Sequence, residues 1–196
     1  MTAQRRGPPH EVRIIGGQWK RSKLPVADAP GLRPTPDRVR ETLFNWLGQD
    51  LTGWRCLDVF AGSGALGFEA ASRGASEVVL VERDAALARS LRESKQRLAA
   101  AALRIEVADA LAFMRRANPD SYELVFIDPP FGADLFMQAL AAAPRLVVPG
   151  GFVYLEADRA FDDAGVAGLG LRIHRHAQAG AVHFHLLLRD PAPGAG

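Results

Sequence analysis

Cysteine is almost missing from this chain: Cys56 is the only one in 196 residues, so no disulfide can form within it. It sits beside Leu57 at the start of an apolar run, which reads as a small buried side chain in a strand. Long apolar runs are missing as well, and none approaches the ~18 residues of a membrane helix. The opening residues Met1-Thr2-Ala3-Gln4-Arg5-Arg6 lead into polar sequence and carry no hydrophobic leader, so export is not expected and a cytoplasmic protein is. Internal repeats and long low-complexity segments are also wanting. With 48% apolar residues, the expectation is one full core with a small appendage.

Charge is present but unevenly placed. Residues 1–40 hold nine basic side chains (Arg5, Arg6, Arg13, Lys20, Arg21, Lys23, Arg33, Arg38, Arg40) against Glu11, Asp28 and Asp37, a net of +6. The whole chain carries +2, so the remainder sums to −4. A basic arm on an acidic body suggests that the arm grips a polyanion. Gln18-Trp19-Lys20-Arg21-Ser22-Lys23 places an aromatic ring within the charge, as single-strand nucleic-acid binders do. Residues 1–10 read as a solvated tail. Val12-Arg13-Ile14-Ile15, Gly16-Gly17 and Trp19 to Leu24 read as two short strands around a glycine turn.

Next, Thr35 has the chemistry of a helix N-cap, Pro36 suits the first helical position and Asp37 complements the dipole. Val39, Leu43, Phe44 and Leu47 follow at helical spacing, with Gly48 as terminator. Beyond Thr52-Gly53 strands are predicted near 55–60, 77–82, 103–108, 122–127, 151–156, 171–177 and 181–188. Helices are predicted near 64–73, 84–99, 110–117 and 133–143. That alternation argues for an α/β fold with a mainly parallel sheet and sites at the carboxyl ends of the strands. The division expected is a basic arm and helix over 1–50, a catalytic domain over 51–190, and a frayed tail over 191–196.

Two motifs carry chemistry. Leu57-Asp58-Val59-Phe60-Ala61-Gly62-Ser63-Gly64-Ala65-Leu66-Gly67 contains a complete G-x-G-x-x-G between a strand and a helix, where glycines let a ligand approach backbone. Glu82 follows twenty residues after Gly62 at the end of a second strand, placed to accept from ribose hydroxyls. So far a nicotinamide cofactor and S-adenosylmethionine fit equally. Asp58 breaks the tie, because a carboxylate ahead of the loop repels pyrophosphate but attracts a cationic methionine end. Asp109 is placed near an adenine amine, with Arg83 and Ala110 flanking the cofactor acids. The second motif is Asp128-Pro129-Pro130-Phe131 after Leu124-Val125-Phe126-Ile127. Two prolines stiffen the turn and leave carbonyls free. Asp128 and the Pro129 carbonyl suit the protons of an exocyclic amine, and Phe131 suits the face of its base.

The last two strands join through Ala179-Gly180. That register sets His176 opposite His183 and His174 opposite His185, four imidazoles on one face. Without a carboxylate or cysteine among them, no metal site is assigned.

Taken with Val12 to Trp19, Leu32-Arg33-Pro34-Thr35 and Asp37-Arg38-Val39-Arg40-Glu41-Thr42-Leu43-Phe44-Asn45-Trp46-Leu47, these motifs resemble the RsmD family of small-subunit ribosomal RNA guanine-N2 methyltransferases, over about residues 12–188. The resemblance implies a class I methyltransferase fold, Rossmann-like, with a seven-stranded mainly parallel sheet, a C-terminal antiparallel hairpin and a small N-terminal extension. It implies S-adenosylmethionine as methyl donor, S-adenosylhomocysteine as product, and 16S rRNA within the small ribosomal subunit as partner; a monomer is expected. Asp128, Pro129, Pro130 and Phe131 would be catalytic. Asp58, Gly62, Ser63, Gly64, Gly67, Glu82, Arg83, Asp109, Ala110 and Asp128 would hold the cofactor. Arg13, Trp19, Lys20, Lys23, Arg33, Arg38 and Arg40 would contact RNA. The histidine-rich hairpin is not a feature associated with the family. Alternatives are a DNA adenine or cytosine methyltransferase, a nicotinamide-dependent oxidoreductase and a noncatalytic RNA-binding assembly factor.

Overall fold

The computed structural model describes residues 10–27, 32, 34–130 and 135–190. The two terminal tails, Arg33 and Phe131 lie outside the described residues.

From Arg55 onward strands and helices alternate: β3 (Arg55–Asp58), α2 (Ala65–Ser72), β4 (Glu77–Glu82), α3 (Ala85–Arg97), β5 (Leu103–Val107), α4 (Ala110–Arg116), β6 (Tyr122–Ile127), α5 (Leu135–Leu146) and β7 (Val147–Ala157). A short α6 (Asp163–Ala167) then precedes the hairpin β8 (Leu171–Ala179) and β9 (Val182–Arg189). The sheet has seven strands in the order β5-β4-β3-β6-β7-β9-β8. Strands β3 to β7 pair in parallel, and β9 pairs antiparallel with β7 and β8. Strand order reverses between β3 and β6, so a crevice opens above their carboxyl ends.

Continuous apolar strands arise because both faces are covered. Cys56, Val78, Leu80, Leu124, Phe126 and Tyr154 share one core cluster. Leu57, Val79, Val81, Val125, Ile127 and Val153 belong to the other, with Ala110, Phe113 and Met114 of α4 and Leu140 of α5. Every residue of α2 is buried, because the sheet covers one side and the N-terminal segment the other.

That segment forms β1 (His10–Arg13), β2 (Lys23–Val26) and α1 (Asp37–Trp46). The expected hairpin exists, but its register, Val12 opposite Leu24 and Arg13 opposite Lys23, moves Trp19 to Arg21 out of a strand and into the turn. The reason is docking onto α2. Glu69 accepts the amides of Ile15 and Gly16 at 2.8 Å each, and the Ser72 carbonyl accepts that of Gln18 at 2.8 Å. Those hydrogen bonds replace a continued ladder. Gly17 has φ +73° and lies so close to Ser72 that a Cβ would fall 1.9 Å from its carbonyl oxygen.

At α1, Pro36 takes the N-cap position and no side chain caps the helix, so Thr35 is not the cap its sequence position suggests. Its hydroxyl is used elsewhere. The far end matches expectation: Leu47 caps the helix and Gly48 follows at φ +85°.

In the C-terminal hairpin the register differs from the expected one. Ala179 pairs with Val182, so Gly180-Ala181 forms the loop and His176 lies opposite His185. The pairing shifts between Ile173 and Arg175. An extra residue in a strand reverses facing, and His174 instead packs on Phe152, ring centroids 5.4 Å apart. His176, His183 and His185 stay together, with a His176 Nε2 to His183 Nδ1 distance of 3.1 Å. Among the described residues no group of histidine, cysteine and acidic side chains has metal-binding geometry.

Candidate active site

A cleft of about 300 Å³ lies above the carboxyl ends of β3, β4, β5 and β6. It is lined by Asp58, Gly62, Ser63, Glu82, Arg83, Asp109, Ala110, Asp128, Pro129 and Pro130, among others. The structure thus brings these ten residues, far apart in sequence, around one cleft.

Gly62, at φ +53°, faces Leu32, and a Cβ there would come within 2.9 Å of the leucine methyl. Glu82 holds the turn from the next strand. One oxygen accepts the Gly62 amide at 2.9 Å, the other accepts the Asp84 amide at 2.8 Å. Asp109 caps α4 through the Ala112 amide at 2.8 Å and also lines the cleft.

Gly64 and Gly67 do not line the cleft. Gly64, at φ +79°, starts α2, and a Cβ would collide with Leu91 at 2.6 Å. A Cβ on Gly67 would lie 2.1 Å from Leu80, so this glycine permits close contact between α2 and β4. Both glycines permit close packing of α2.

Asp58 is 1% exposed and accepts the amides of Gly67 and Phe60. Burial raises its carboxyl from the ordinary 3.8 to about 7; the two amides pull it down, and Glu82 and Glu156 add to the rise. One oxygen, Oδ1, is buried without a partner among the described residues. A buried acceptor with nothing to accept is expected where a cation or amine belongs. The methionine amine of S-adenosylmethionine would satisfy it.

Across the crevice, Asp128 meets residues that sequence reasoning did not bring to the site. The Thr35 hydroxyl lies 3.3 Å from Asp128 Oδ2 and 2.9 Å from Glu156 Oε1, and the Tyr154 hydroxyl donates to the same Glu156 oxygen at 2.8 Å. Burial first, then the charges of Glu156 and Asp58, push the Asp128 carboxyl well above its ordinary range, while Thr35 opposes the rise. Burial likewise raises Glu156. A signal for Glu156 existed. It occupies the strand-end position on β7 that Asp58, Glu82 and Asp128 occupy on β3, β4 and β6.

The proposed RNA contacts divide. Arg13, Lys20, Lys23 and Arg38 are exposed and Trp19 is half-buried against the core. Arg13 also pairs with Asp37 at 3.5 Å and Lys23 with Glu11 at 2.7 Å. Arg40 does not reach the surface. Its side chain is fully buried, donates to the Thr35 carbonyl at 3.2 Å, and is neutralised by Glu69 and Asp37. Charge counting placed it in the arm, but its place on the inner face of α1 commits it to the core.

Comparison with known proteins agrees with this geometry. The family described as Conserved hypothetical protein 95 matches residues 12–188. Ribosomal RNA small subunit methyltransferase D of Escherichia coli K12 is 40% identical over 185 residues, covering 92% of this chain and 91% of that protein. The protein of the same name from Haemophilus influenzae is 43% identical over 154 residues, 76% of this chain and 80% of that one. The solved structure of Escherichia coli yhhF superposes with a TM-score of 0.80 at 36% identity, over 92% of this chain and 99% of that one.

Proposed function

The chain belongs to the RsmD family, that of Conserved hypothetical protein 95, and from that premise we propose that it is an S-adenosylmethionine-dependent methyltransferase acting on the exocyclic N2 amine of a guanine in 16S rRNA. The observation that carries the reading is the pairing, in one cleft, of the partnerless Asp58 oxygen with Asp128 across the crevice. Asp58 and the Gly62-Ser63 turn would hold the methionine end, Glu82 the ribose, and Asp109 with Ala110 the adenine. When bound, S-adenosylmethionine supplies an electrophilic methyl on sulfur.

Guanine N2 is a weak nucleophile because its lone pair delocalises into the ring. Asp128 draws the N2 protons out of the ring plane and opposes the positive charge that develops as the nitrogen attacks. Pro129 and Pro130 hold that carboxylate and the adjoining carbonyls in a stiff turn, so positioning supplies much of the acceleration. A guanine inside a helix could not reach the cleft, so it is turned out of its stack. Arg13, Lys20, Lys23 and Arg38 supply phosphate contacts from the arm over 10–50, and a small ribosomal subunit is the partner. Exposure of these four side chains beside the half-buried Trp19 supports that role.

The test is tritiated methyl transfer onto small subunits from cells lacking this protein, with naked 16S rRNA and duplex DNA as parallel substrates, followed by mapping of the base. Label on one N2-methylguanine supports the reading. Label on DNA alone, or none, overturns it.

A further inference from the structure

Asp128, Thr35, Glu156 and Tyr154 form a line of three oxygen–oxygen contacts of 3.3, 2.9 and 2.8 Å. Thr35 is 4% exposed, Tyr154 0% and Glu156 6%, so no water comes between these three; Asp128 alone is half-buried, at the wall of the cleft. The two hydroxyls bring two protons. Three hydrogen bonds need three, and only a carboxyl can hold the third. Two arrangements close the line: Asp128 donates to Thr35 and Thr35 to Glu156, or Glu156 donates to Thr35 and Thr35 to Asp128. The Thr35 hydroxyl reverses between them.

Charges around the line favour keeping that proton while the cleft holds no cation. Asp58 on β3 faces Asp128, Glu82 on β4 acts on Asp58, and Tyr154 contributes no positive charge. Arg40 on α1 touches only the Thr35 carbonyl and is matched by Glu69 and Asp37.

Resting on the methyltransferase reading, we propose that Asp128 and Glu156 share one proton through Thr35, release it when a sulfonium cation is seated in the cleft, and recover it from the guanine nitrogen during transfer. In that step the N2 lone pair forms the N–C bond and the S–C electron pair remains on sulfur. The N2 proton passes to Asp128, and the Thr35 hydroxyl relays it to Glu156. One positive charge disappears from sulfur as the carboxyl pair goes from two negative charges to one, so the net charge of the site is unchanged. Asp128 is the catalytic residue; Thr35 and Glu156 position and relay.

The test is proton release on ligand binding, from calorimetry in two buffers of different ionisation enthalpy at about pH 7.5. S-adenosylmethionine and S-adenosylhomocysteine both carry the amine that faces Asp58, so the difference between them isolates the sulfonium. Wild-type protein should release about one proton more with S-adenosylmethionine, and Thr35→Ser should behave alike. Glu156→Gln should bring the difference close to zero. Equal release by the two ligands in wild-type protein overturns the inference without any variant, and so does an undiminished difference in Glu156→Gln. Absence of binding by S-adenosylmethionine overturns the methyltransferase reading and this inference together.

Discussion

Arg40 and Glu69 meet at 3.2 Å with no exposed surface on either side chain, and this pair ties α1 to α2. Glu69 also accepts from Arg73 at 2.9 Å and from the amides of Ile15 and Gly16. One buried carboxylate thus collects four donors from three parts of the chain.

Removing one partner of such a pair strands the other. Arg40→Ala should destabilise the fold by about 3–5 kcal/mol, whereas Arg38→Ala, exposed on the same helix, should stay within about 0.5 kcal/mol. Urea denaturation of the two variants measures the contrast. A mild Arg40→Ala would show that Arg73 and the two amides suffice for Glu69.

Asp128→Ala should leave S-adenosylmethionine affinity nearly intact and lower turnover at least ~100-fold, the size expected for a lost transition-state acceptor. Single-turnover methyl transfer on small subunits, with calorimetric cofactor binding alongside, separates the two effects. Near wild-type turnover would leave backbone carbonyls as sufficient acceptors.

Asp58 sets a pH dependence of stability. Its folded carboxyl is raised to about 7 from 3.8. Between those values the folded protein keeps a proton that the unfolded chain has lost. Stability therefore falls as pH rises through that window, by up to about 4 kcal/mol from this group. Asp128 and Glu156, also raised, act in the same direction. Urea midpoints of ligand-free protein should drop between about pH 4 and pH 7, and Asp58→Asn should shallow the slope. Equal slopes in the two proteins would mean that Asp58 ionises as it does in water.

Lys20→Ala with Lys23→Ala should weaken binding to small subunits and flatten its salt dependence by up to about two phosphate contacts. Point changes are the right probe, because truncation would strip Val12, Ile14 and Leu24 from the core and unload Glu69. An unchanged salt slope would move recognition away from the arm.

The parallel strands and the glycine turn were legible because each leaves a local signature: an apolar run bounded by an acid, or glycines at fixed offsets. Strand-end acids located Asp58, Glu82, Asp109 and Asp128. The same rule, carried one strand further, reaches Glu156. What stayed hidden depends on contacts far apart in sequence. Thr35 looks like a helix cap until β7 brings Glu156 beside it, 121 residues away. Arg40 looks like one charge among nine until α2 presents Glu69. His174 leaves the face of His176 through one extra residue in β8, and no alternation pattern announces a bulge.

Helix α2 has a consequence, under the proposed function, for which base is chosen. Its eight residues span about 12 Å; the cofactor turn sits at one end, and the carboxylate and hydroxyl that suspend the arm project from its later turns. Under the proposed function, the reach from phosphate grip to methyl donor is therefore a fixed length, cut by one helix. Such a device selects by measurement: among the many guanines of a ribosomal subunit, the target is the one at the right distance from a backbone the arm can hold.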